Sequence, residues 1–147
     1  MDKIVNVKNG VLAVLAAVGS AAAGYLGGWD AALETLVWCM AADYCTGVMV
    51  AGFFKKSPGS ADGALSSKAG FRGLCKKATI LLAVLVGAQV DTLTGGTYVR
   101  GAVIFFFVGN EGLSILENMG LMGVPYPAFL KNALEVLREK GENRPKA

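Results

Sequence analysis

The chain has no histidine and only three cysteines, Cys39, Cys45 and Cys75, among its 147 residues. The first absence removes imidazole acid–base chemistry and histidine-ligated metals. The cysteines show no CxxC spacing, and two of them sit inside an apolar run. They read as reduced packing thiols rather than as a disulfide framework. Charge is scarce as well, at 17% of residues against about a quarter in soluble domains. No GxGxxG, Walker, HExxH or GxSxG pattern occurs. Without a nucleophile, phosphate cradle or metal set, no enzyme is expected, and no catalytic, cofactor-binding or metal-ligating residue.

What is abundant is apolar: 54% hydrophobic residues, a mean hydropathy of +0.50 and 20 glycines. Small residues let helices approach backbone to backbone in lipid. The expected fold is all-α, an integral membrane protein of about four transmembrane helices plus a C-terminal amphipathic helix. Residues 1–9 form a short N-terminus and residues 10–124 the membrane domain, with spans at about 10–29, 31–54, 77–94 and 101–119. The second is long enough to cross about 30 Å of hydrocarbon. The third reaches that length only if Lys76 and Lys77 reach back toward the headgroups.

The basic residues orient these spans. Lys3 and Lys8 precede the first span, and Lys55, Lys56, Lys68, Arg72, Lys76 and Lys77 lie in or at the edge of the loop at 55–76. Five more follow position 130, and only Arg100 falls elsewhere. Clusters that flank apolar runs are topology signals rather than a nucleic-acid footprint. With the N-terminus inside, 13 cations face the cytoplasm and one faces out, so both termini are expected to be cytoplasmic. A rival reading of the first segment is a signal peptide cleaved near Ala21-Ala22-Ala23. Against it, Ala16, Ser20, Gly24 and Gly28 make one small-residue ridge suited to close helix contact.

Several polar side chains fall at membrane depth. Asp43 lies near the middle of the second span, and Asp43, Gly47 and Ala51 share one face at i, i+4, i+8. Such an acid is expected to be protonated, hydrogen-bonded to a neighbouring helix or in contact with water. Asn110, Ser114 and Asn118 repeat at i+4 in the fourth span, with Glu111 and Glu117 beside them. These seven positions (Asp43, Gly47, Asn110, Glu111, Ser114, Glu117 and Asn118) are the candidate helix-contact or water-lining residues. Hydrogen bonding within one monomer, the wall of a water-filled assembly and a proton relay all remain open for them.

On the cytoplasmic side, 65–77 reads LSSKAGFRGLCKK. Ser66 or Ser67 can cap a helix whose Lys68, Arg72, Lys76 and Lys77 would bind anionic headgroups, each adding about 1 kcal/mol near the surface. Gly70 and Gly73 would let it bend into the third span. The alternative is a loop that is basic only for topology. After Pro125 and Pro127, residues 125–147 hold a short helix with an apolar stripe at Leu130, Ala133, Leu134 and Leu137 and a Lys131–Glu135 pair. It should lie on the membrane surface or against a partner, followed by a disordered tail.

Three stretches together carry a family likeness: DYCTGV at 43–48, LSSKAGFRGLCKK at 65–77 and VIFFFVGNEGLSILENMGLMGVPYPAFLKNALEVLREK at 103–140. They resemble the phage holin family that includes the clostridial toxin-release holins, over roughly 36–140. NEGLSILEN followed by GVPYP and an amphipathic LKNALEVL helix is not a generic membrane pattern. The resemblance implies a homo-oligomer in the bacterial inner membrane that forms timed lesions. These collapse the proton-motive force and release endolysin for host lysis, or in some bacteria large toxins. It implies partners too: other copies of the chain, anionic lipids, a functional link to endolysin and, in many such systems, an antiholin made from a second start. The next methionine after Met1 is Met40, so an inhibitor starting near the first residue would need another start codon. Two other classes compete: a small oligomeric channel or transporter subunit, for which no internal repeat is visible, and a membrane adaptor recruiting a soluble partner.

Overall fold

The computed structural model describes residues 2–142, and the tail expected after them lies outside the described residues. Five helices follow one another: α1 (Asp2–Tyr25), α2 (Ala31–Met49, continued by a wider π turn at Val50–Phe54), α3 (Ser67–Thr94), α4 (Val99–Leu121) and α5 (Ala128–Glu142). There is no strand among the described residues. The first four are long and apolar enough to cross a bilayer, with hydropathy between 1.4 and 1.5 over their best windows.

Each boundary has a local cause. α1 stops at glycines 27 and 28, both at positive φ, and Asp30 caps α2 by accepting from the Leu33 amide at 2.9 Å. Lys55, at φ 50°, ends the π turn in the left-handed region. Ser66 caps α3 through the Ala69 amide, and Gly95 ends it at φ 69°. α3 is one unbroken helix of 28 residues, about 42 Å long. The segment read as a separate surface helix at 65–77 is its first part. Gly70 and Gly73 do not interrupt it. They leave room for the Tyr44 ring of α2, whose hydroxyl would meet a Cβ on Gly70 at 3.4 Å.

α4 is the central helix and touches α2, α3 and α5. The apolar core lies in the half of the bundle nearer the α3–α4 turn, where Leu33, Leu36 and Met40 of α2 meet Ile80 and Val84 of α3 and Ile104 and Val108 of α4. α5 runs antiparallel along α4, with Gly112 against Leu134 and Gly141 against Ala102 and Phe106. Its stripe at Leu134 and Leu137 is thus turned to α4 rather than left free. α1 stands apart: none of its spanning window is buried, and nothing approaches Gly10, Gly19 or Gly24 within 4 Å of an added Cβ. The ridge through Ala16, Ser20 and Gly24 is therefore uncovered within one chain. The large apolar side chains left outside, such as Trp38, Phe53, Leu82 and Leu93, suit contact with lipid or further copies.

Candidate functional site

The buried stripe of α3 reads Lys77, Ile80, Val84, Ala88, Asp91 at spacings of three and four. Helix geometry thus places a cation and an acid on the face turned to the core. Lys77 is only 9% exposed, and its Nζ donates to Asp43 Oδ2 of α2 and to Glu111 Oε2 of α4. Glu111 is 2% exposed. One ammonium between two carboxylates joins three spans, with a formal charge of −1. A central charged side chain costs about 2.5–3.5 kcal/mol to insert, so three are tolerable only when they bond one another.

A second set of bonds extends the cluster along α2. Asn118 Nδ2 donates to Asp43 Oδ1 at 3.3 Å and to Thr46 Oγ1 at 3.0 Å. Gly47, one turn on from Asp43, faces the same amide, 3.9 Å from where its Cβ would be. Beside the cluster is a cavity of about 320 Å³ between α2, α3 and α4, roofed by the loop between α2 and α3. Asp43, Lys77, Asn110, Glu111, Ser114 and Asn118 all contribute to its lining. The loop is held compact by Ser57 N donating to Gly63 O at 3.0 Å and by Ser60 Oγ donating to Ala64 O at 2.7 Å.

Of the expected contact residues, six converge here: Asp43, Gly47, Asn110, Glu111, Ser114 and Asn118. Glu117 is exposed and lies outside the cavity. Lys68, Arg72 and Lys76 are exposed on the first three turns of α3, and Lys76 also borders the cavity. Lys77 departs from them. It does not reach outward, because two carboxylates on neighbouring helices hold it in the core. The signal was its place in the Lys77–Ile80–Val84 register, which a reading by cluster of charge overlooks.

At the other end of the bundle, Asp91 and Arg100 make a second constellation that the sequence reading did not single out. Asp91 accepts from the Val99 and Arg100 amides, both at 2.9 Å, and so closes the N-terminus of α4 from across the turn. The Arg100 guanidinium pairs with Asp30 at 2.6 Å and donates to the Leu26 and Gly28 carbonyls. Arg100 beside it holds the Asp30 carboxyl below the ordinary aspartate range, against a smaller opposing effect of burial. The α1–α2 turn is thereby tied to the α3–α4 turn. No local spacing announces these contacts, since Asp91 caps a helix that begins eight residues later.

Apolar helices of spanning length around a buried cluster of opposite charge define a multi-span helical membrane protein. The chain belongs to the bacteriophage holin family, whose sequence pattern matches residues 20–139. An uncharacterised protein of Listeria monocytogenes is 40% identical over 126 residues, 84% of each chain. An uncharacterised 14.9 kDa protein of Clostridium perfringens is 37% identical over 143 residues, 95% of this chain and 99% of its own. A protein of Bacillus phage phi105 named a probable holin is 30% identical over 124 residues, 84% of this chain and 86% of its own. No solved structure matches the chain.

Proposed function

We propose that this chain is a non-enzymatic, lesion-forming holin that accumulates and oligomerises in the bacterial cytoplasmic membrane and then admits endolysin to the cell wall. The observation that carries this reading is the Asp43–Lys77–Glu111 cluster, a set of charges closed on itself at membrane depth and bordering a cavity that Asn110, Ser114 and Asn118 also line. Satisfied inside one bundle, the charges are compatible with a quiet, inserted monomer. Released from one another, they need water, and only an aqueous assembly of several copies supplies it. The cluster is then a latch whose opening favours the lesion. Both termini lie in the cytoplasm in the quiet state, on the charge asymmetry of the loops. Exposed Lys68, Arg72 and Lys76 hold the α2–α3 side against anionic lipid.

The test is induced expression in bacteria with and without a cytoplasmic endolysin. Abrupt depolarisation, followed by lysis only when endolysin is present, is expected. Ion-selective flux without passage of folded protein would assign a channel instead, and inert membrane residence an adaptor. Within this system Asp43→Asn and Glu111→Gln each weaken the latch and should shift the time of lysis while leaving insertion intact. Unchanged timing in both would remove the latch from the mechanism.

A further inference from the structure

α5 has a surface that does not match its depth. It begins beside the cytoplasmic end of α4, where Tyr126 meets Gly120, and returns along α4 until Gly141 reaches Ala102 and Phe106. Its 15 residues cover about 22 Å of helix axis, most of the hydrocarbon thickness. The docking is intimate. A Cβ on Gly109 would lie 2.6 Å from the Leu134 carbonyl oxygen, and one on Gly112 2.6 Å from a Leu134 methyl. The rest of the α5 surface presents Lys131, Glu135, Glu139, Lys140 and Glu142 with exposed Phe129 and Val136 among them, while Arg138 lies against Gly109 at the α4 contact. Of these, only Lys131 and Glu135 form an ion pair among the described residues, at 3.8 Å and half exposed.

Lipid cannot solvate that surface. One central charge already burdens insertion of a span, and here six lie along a single helix without the buried partners that Lys77 enjoys. We propose that docked α5 is a lumen-lining element. In the assembled lesion its charged face borders water while α4 stands behind it; α5 leaves the cytoplasmic membrane surface and seats first, with the Asp43–Lys77–Glu111 cluster still closed, and the cluster opens as copies assemble. The inference rests on the lesion-forming reading and adds to it the element that wets the wall. The glycine groove at Gly109 and Gly112 is then the seat that α5 takes as the lesion forms, and docking draws its last turn away from the cytoplasmic face.

The experiment uses the full chain, with Cys39, Cys45 and Cys75 replaced by serine, in phospholipid vesicles loaded with fluorescent dextran. Gly112→Cys with Leu134→Cys clamps α5 to α4, since Leu134 Cγ lies 3.3 Å from the Cβ position of Gly112. The oxidised clamp should release dextran within about twofold of the reduced form, because α5 is docked in the open lesion. A clamp that blocks release until reductant is added would overturn the proposal. A thiol introduced at position 139 of the clamped chain should react with a charged, impermeant reagent at least about tenfold faster than one at the lipid-facing Leu82 position. Equal rates would overturn it too, whether lipid or a second copy covers the face. Gly112→Leu, which fills the seat, should insert normally but lose dextran release. Absence of release from the unsubstituted chain would instead refute the lesion reading itself.

Discussion

At the scale of residues, the closed charge cluster decides most of what this bundle can do. Removing Lys77 alone strands two carboxylates close together in the core, and breaking a buried pair in this way costs about 3–5 kcal/mol. Lys77→Met should therefore lower the unfolding midpoint in detergent sharply. The triple change Asp43→Leu, Lys77→Leu and Glu111→Leu removes every charge at once and should be as stable as the parent or more so. If the cluster is a latch, the triple variant will nevertheless fail to lyse; normal lysis by it would leave the charges without a role. A second residue-scale effect has a defined pH window. Because Arg100 lowers the Asp30 pKa in the folded state, that carboxylate stabilises the fold above its unfolded value, ordinarily near 3.8. The stabilisation is lost as pH falls through the lowered folded value. Half-exposed as the carboxyl is, the effect is small. Thermal unfolding in detergent between about pH 6 and pH 2 should show a steeper acid loss for the parent than for Asp30→Asn. Asp43 and Asn118 could be read as contact residues because polar groups on an apolar helix are conspicuous. Lys77 could not be separated so easily from Lys76, since side-chain charge alone does not say which way a helix is rotated.

At the scale of elements, apolar runs located the four spans and a periodic stripe located α5, whose Leu134 and Leu137 meet α4. The start of α3 was less legible. Basic residues and two glycines suggested a surface segment hinged to a span, whereas a capped helix without proline continues as long as its neighbours accept it. Tyr44 supplies the reason for the glycines, since its ring occupies the space that side chains at 70 and 73 would take. Gly70→Ala puts a methyl in ordinary contact with the Tyr44 hydroxyl and gains helix propensity of about 0.5–1 kcal/mol, so it should raise stability slightly. Gly70→Leu must push the ring aside or enter the cavity and should lower stability. Detergent melting curves of the two variants check this. Equal melting of both would mean that Tyr44 does not sit over α3.

At the scale of the whole molecule, the bundle divides into a packed unit, α2 to α5, and an appended helix, α1. Composition revealed that α1 is apolar, but composition cannot say whether an apolar helix packs inside its own chain or against lipid and other copies. α1 contributes no buried residue from its spanning window. Its connection runs through Leu26 at the edge of the core and through the carbonyls that Arg100 holds. Deleting residues 2–19 should therefore leave α2 to α5 folded. It also removes one crossing, which sets the start of the chain and the basic α2–α3 loop in competition for topology. The loop should win. Lys55 and Lys56 after α2 and Lys68, Arg72 and Lys76 on the first turns of α3 remain exposed, and Arg100, the lone cation at the opposite end of the bundle, is neutralised by Asp30. A fluorescent protein that matures only in the cytoplasm, fused within the α2–α3 loop, should stay bright after the deletion. Loss of fluorescence with the protein still in the membrane would show that α1, not the loop, sets the orientation. Retained fluorescence with failed lysis would place α1 at the contacts between copies, where its uncovered ridge at Ala16, Ser20 and Gly24 is free to pack.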